Sequence, residues 1–244
     1  MNLTNKIITL VLVTAMAILS GCAAMQTTLE HKDLKASSQM SESIMMDPVP
    51  DSKKTVHLTF KNTSDQEMEI ASKVKTAIES HGYKVVSNPN RAHYLLQAKI
   101  LKVGEMSKSA SQSALGGGYG SGLAGFATGA ALGSLSYSAN TTIGAGVVGG
   151  LVSMAADSLV KDVNYTMITD IQISERVTGY ITEKTSANIK NGSATALKQS
   201  SSKRSSFQKY RTRVVSNADK VNLKFAEARP VLEQSLAKTI AGIF

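Results

Sequence analysis

Tryptophan is absent from the 244 residues, and aromatic side chains of any kind make up only 5% of the chain. A core built from it must rest on aliphatic packing or on association with further copies of the chain. Cysteine occurs once, at Cys22, which excludes an internal disulfide and a multi-thiolate metal site. The four histidines, His31, His57, His81 and His93, include no two at metal-ligand spacing on one expected element. The serines between Ser200 and Ser206 lack the flanking glycines of a nucleophile elbow. Asp157, Asp162 and Asp170 are spaced too loosely for an acid/base pair. With no constellation that carries a reaction, a non-catalytic protein without cofactor or metal is expected.

Charge is missing from one long stretch. Residues 109–156 contain no Asp, Glu, Lys or Arg, although 18% of the chain is charged, and 12 of the 18 glycines fall there. Two runs stand out within it, 119–136 and 143–160, joined by the polar link 137–142. As a helix each would reach about 27 Å, close to the thickness of a hydrocarbon core. Glycine disfavours helices in water, but small residues four apart let two helix backbones approach closely in lipid. Gly118 with Gly122, then Gly125, Gly129 and Gly133, and Gly146 with Gly150 have that spacing. The pattern predicts a membrane-associated helical hairpin over 109–160 whose glycine stripes meet each other or neighbouring subunits. A flexible linker is the competing reading, opposed by Leu123, Phe126, Leu132, Val147, Leu151 and Met154. A phosphate loop is discounted, since no Gly-Lys-Ser/Thr follows the glycines.

The single cysteine gains its meaning from its neighbours. Lys6 precedes an apolar run from Ile7 to Leu19, too short to span a bilayer, and Leu19-Ser20-Gly21-Cys22 follows. This is the layout of a bacterial lipoprotein signal cut between Gly21 and Cys22. The signal is 1–21, and Cys22 would carry an S-diacylglycerol and an N-acyl group. Ala23, in place of an inner-membrane retention Asp, favours the outer membrane. Lipid on Cys22 and an apolar hairpin would give lasting attachment.

The chain carries +9, and losing Lys6 with the signal leaves +8. Between Lys184 and Ala218 lie eight basic residues and no acid: Lys184, Lys190, Lys198, Lys203, Arg204, Lys209, Arg211 and Arg213. Such a stretch fits nucleic acid, anionic lipid or a solvated loop. Without stacking aromatics or a recognition-helix pattern, nucleic acid is excluded. A serine-rich solvated loop touching acidic phosphates is favoured.

Residues 22–52 read as a lipidated tether. Lys54–Phe60 alternates as a strand, and Gln66–Ser80 has helical spacing at Met68, Ala71, Val74, Ala77 and Ile78, with Gly82 as its stop. Tyr83–Ser87 is a second strand, and His93–Val103 a third, apolar on both faces and therefore central. Val163, Tyr165, Met167, Thr169, Ile171 and Ile173 share one face of a long strand. Val177–Thr185 is expected to return as its hairpin partner, Asn188–Ser206 to be a mobile loop, and Phe207–Val215 to be a further strand. A final helix has Pro230 near its first turn and a stripe of Val231, Leu232, Ser235, Leu236, Thr239, Ile240 and Ile243. The class is α+β, a mixed sheet with packed helices over 53–108 and 161–244 that carries the hairpin as an insert.

Asp162–Ile173, Tyr210–Phe225 and Pro230–Lys238 resemble the TraT family of conjugative-plasmid outer-membrane lipoproteins, as do the Gly/Ala-rich centre and the Leu-Ser-Gly-Cys start. The resemblance covers nearly the whole chain. It implies surface exclusion, in which a plasmid-bearing cell hinders mating-pair formation with like donors, and resistance to complement. It also implies a large ring-like homo-oligomer in outer-membrane lipid, exposed at the surface, with a donor pilus tip or an outer-membrane protein receptor as the contact it blocks. Rival readings are an oligomeric pore or export component, an envelope enzyme and a peptidoglycan-binding lipoprotein.

Overall fold

A computed structural model describes residues 33–123, 161–191 and 195–244, with side chains 185–199 outside the description. In chain order the elements are β1 (Lys35–Met40), β2 (Thr55–Asn62), α1 (Ile70–Ser80), β3 (Lys84–Val85), β4 (Tyr94–Glu105), α2 (Lys108–Gly117), β5 (Asp162–Asn191), β6 (Thr195–Val221) and α3 (Phe225–Ala241). The strands form one mixed sheet in the order β1-β6-β5-β4-β2-β3. β1, β6, β5 and β4 are successively antiparallel, while β2 runs parallel to both β4 and β3. The α+β class holds and β4 is interior, but only one of its faces is apolar throughout: the other carries exposed Gln97 and Lys99 beside Leu95 and Leu101.

Strand alternation sorts side chains onto two faces. Val163, Met167, Ile171 and Ile173 of β5 join Val56, Leu96, Ala98, Ile100, Val214 and Ala218 in the main core. Over them lie α1, through Ile70, Val74 and Ile78, and α3, through Leu232, Leu236, Ala237 and Ile240. Tyr94 is fully buried there, edge-on to Tyr83 and Phe244. On the opposite face α2 covers a smaller cluster of Met106, Ala114, Ile168 and Val215. The helices α1 and α3 are also joined by a buried charge. The Glu233 carboxylate accepts the Glu69 backbone N–H (2.7 Å), the Lys73 ammonium and the Arg229 Nε–H (3.1 Å). A carboxylate at the N-terminus of α1 also favours the helix dipole.

Several expectations are corrected. Lys35–Met40 lies in the expected tether but is an edge strand on β6. Met40 is its one large apolar side chain and reaches the core, so no alternation marks the strand, and its partner lies about 180 residues away. Val177–Thr185 does not return beside Val163–Ile173. It continues β5, past an irregularity between Arg176 and Ile181. Asn188–Ser206 is not left as a loop, because β5 and β6 stay paired out to Asn191 and Thr195. Backbone pairing asks nothing of side-chain hydropathy, so a serine-rich strand escapes a hydropathy reading. Beyond Arg176 and Phe207 no third strand of the described residues joins this pair, which leaves a two-stranded ribbon roughly 50 Å long. In α1 the buried residues are Ile70, Val74 and Ile78, and Ala71, expected on that stripe, is exposed. Pro230 lies in the second turn of α3, which begins at Phe225.

Candidate functional site

The uncharged segment leaves and rejoins the sheet at defined points. Its first nine residues, 109–117, are not a hairpin arm but all of α2 except Lys108, a helix of the folded body. Ser107 opens α2 by accepting the Ala110 N–H at 3.2 Å, the usual N-cap role. The helix ends at Gly118, whose φ of +69° and ψ of −176° suit glycine alone. Residues 118–123 are not helical, so the arm expected from Tyr119 does not start there.

Below this exit sits the largest fully buried side chain of the described residues, Arg213. It stands directly opposite Asp170 across β5 and β6. Its Nε donates to Asp170 Oδ1 at 2.7 Å and its Nη2 to Asp170 Oδ2 at 3.2 Å. The remaining donors reach the exit itself: Nη1 to the Ala114 carbonyl (3.2 Å) and Ser121 Oγ (2.5 Å), Nη2 to the Ser121 carbonyl (2.9 Å). The Gly120 N–H donates back to Asp170 Oδ2 at 2.9 Å. The guanidinium thus spends its donors on one carboxylate, two carbonyls and one hydroxyl, a geometry that only arginine's fork provides. A polar seam continues under α2. Ser111 and Thr166 donate to Asn217 Oδ1 at 2.7 and 2.8 Å, and Asn164 Nδ2 donates to the Met106 carbonyl at 2.9 Å.

The return end is fixed as well. The Lys161 N–H donates to Asn222 Oδ1 (3.0 Å), the Asn222 N–H to the Lys161 carbonyl (2.8 Å), and the Lys161 ammonium pairs with Glu105. Asn222 adopts a φ of +52° to do this. Both ends of 124–160 are therefore rooted in the sheet body.

Of the residues singled out in the sequence, Gly21, Cys22, Gly125, Gly129, Gly133, Gly146 and Gly150 lie outside the described residues, as do His31 and Asp157. Gly118 caps α2, and Gly122 lies in the non-helical exit. His57 and His93 fall at neighbouring strands, but His57 Nδ1 meets the Val86 carbonyl (3.0 Å) and His93 lies 3.6 Å from Glu175. Burial holds the His93 imidazole below the usual histidine range, against the pull of Glu175. Among the described residues no three His, Cys, Asp or Glu could hold a metal ion, and no helix is long and apolar enough to cross a membrane. The sequence reading missed Arg213 by placing it in the solvated basic stretch. The available signal was on the Asp170 side alone: Asp170 interrupts the mainly apolar run Met167–Ile173, and a buried carboxylate there calls for a cation opposite.

A model of the family described as Enterobacterial TraT complement resistance protein matches residues 33–244. A TraT complement resistance protein of Escherichia coli K12 is 46% identical over 242 residues, 98% of each chain. A further relative of that name, from Wigglesworthia glossinidia brevipalpis, is 26% identical over 248 residues, 98% of this chain and 97% of its own. The shared description names complement resistance.

Proposed function

This chain belongs to the TraT family of complement resistance proteins, and from that premise we propose that it is a lipid-anchored outer-membrane protein that protects the cell by masking its surface. Copies associate through the glycine stripes of 124–160, and the resulting ring covers contacts needed by complement. The same covering hinders a like donor's pilus tip or adhesin, which is surface exclusion. No catalysis is needed for either effect.

The observation that carries the reading is the match to complement resistance proteins along 33–244. The rooted insert supports the means. Hydrogen bonds at Ser121 and Lys161 tie both ends of 124–160 to one sheet, so the body has to follow wherever that apolar segment goes. With the acyl groups on Cys22, it would hold the sheet close against lipid.

The test is expression in a serum-sensitive, plasmid-free strain. Survival in complement should rise, and mating with like donors should fall while unrelated donors are unaffected. Unchanged serum killing by cells that display the protein would sink the protective role. Unchanged mating would sink the exclusion role.

A further inference from the structure

We infer that the uncovered part of the α2-side sheet face is a docking surface for phosphate-bearing lipid headgroups, an inference that rests on the membrane attachment proposed above. On this face α2 covers only the end of the sheet nearest Met106 and Val215. No other helix of the described residues covers the rest, which is ruled by register. One cross-strand row reads Lys61, Lys99, Asp170, Arg213, and the next reads Thr59, Gln97, Gln172, Arg211. The second row is a flat polar ladder: Gln172 Nε2 donates to Gln97 Oε1 (3.0 Å) and Arg211 Nε to Gln172 Oε1 (2.8 Å).

The charges of this face do not cancel. Asp170 is spent on Arg213, and Glu183, further along, is spent on Lys209 at 2.8 Å. Lys61, Lys99 and Arg211 are exposed, and none of them forms an ion pair with a carboxylate of the described residues, although Arg211 contributes to holding the Glu183 carboxyl below its usual range. Lys61 and Lys99 are direct register partners on parallel strands, their backbones about 4.8 Å apart. Like charges so placed repel unless an anion lies between them. The face also borders the exit of the apolar segment. Tyr119, in that exit, lies 5.4 Å from the Arg211 guanidinium. A segment that enters lipid from here brings these three cations to the headgroups. A single basic residue near an anionic leaflet gains about fivefold in partitioning, and the effect falls off within a Debye length.

The experiment uses the full mature lipidated chain on vesicles of pure phosphatidylcholine and on vesicles with 30% phosphatidylglycerol. Flotation reads attachment, and acetylation of lysines by an uncharged amine reagent, followed by mass spectrometry, reads the face. Lys75, exposed on α1 across the sheet, is the reference. Labelling of Lys61 and Lys99 should slow by about fivefold or more on the phosphatidylglycerol vesicles, with Lys75 unchanged. Roughly 1 M salt should abolish the difference, because the Debye length is then about 3 Å. An R211Q/K61Q variant should lose the slowing at Lys99. Equal labelling on both vesicles overturns the inference while leaving attachment standing. Equal protection on both overturns it in favour of a second copy covering the face. If the chain does not float with neutral vesicles, the attachment reading fails. The anionic vesicles then decide the face alone: flotation with Lys99 protected supports it, and no flotation overturns it.

Discussion

Arg213 and Asp170 face each other across the β5–β6 pair and are joined by two hydrogen bonds, at 2.7 and 3.2 Å, inside the sheet–α2 interface. The pair does more than neutralise two buried charges. Arg213 has donors left over, and these hold Ser121 and Ala114, so the pair fixes where the uncharged segment departs. Asp170→Ala leaves a buried guanidinium without its carboxylate and should cost about 3–5 kcal/mol in urea unfolding. The double change Asp170→Leu with Arg213→Met removes both charges and should recover most of that loss. It should still expose the 117–123 exit to proteolysis, since nothing then grips Ser121.

Gly118 holds a backbone conformation closed to other residues, φ +69° with ψ −176°. Gly118→Ala should destabilise the fold by about 1–3 kcal/mol. Gly122→Ala is the control: a Cβ there meets nothing within 4 Å, and its unfolding midpoint should stay near that of the parent.

Glu233 gives a pH signature. Burial pushes its carboxyl up, but Lys73, the Glu69 amide and Arg229 together pull it below the ordinary 4.5 of a glutamate. A carboxylate whose folded value is depressed adds stability that is complete above its unfolded value and is lost as pH falls through the folded one. Unfolding stability should therefore show no Glu233-linked change from neutral pH to about 4.5, and should fall below that. Glu233→Gln should cost about 2 kcal/mol at pH 7 and flatten that acid limb.

Gly129→Leu would place a branched side chain on the stripe that the spacing predicts for close helix approach. In detergent the parent should run as a large assembly on a sizing column and the variant as a much smaller species. Unchanged size would show that this stripe is not an interface.

What was legible follows the physics of each element. Val163–Ile173 could be read because one face of β5 is apolar and the other is not. The stripe of α3 could be read because Leu232, Leu236 and Ile240 recur at helical spacing under a full sheet. β1 could not be read: Met40 is the one large apolar residue of Lys35–Met40, too little for a period, and the strand is held by backbone bonds to residues 214–219. The ribbon failed for the same reason, its serines giving no period while its hydrogen bonds come from the chain opposite. α2 was hidden because the lack of charge merged it with the segment that follows. The site was half legible. The uncharged stretch and its glycines were visible, but its anchor was not, because Arg213 looks like its solvated neighbours until Asp170 is known to stand opposite.

The most direct test of the account is survival in complement of cells displaying Gly129→Leu at the parent's surface level. If masking by an assembly protects the cell, survival should fall to that of cells without the protein. Full protection by a dissociated, membrane-attached chain would contradict the account.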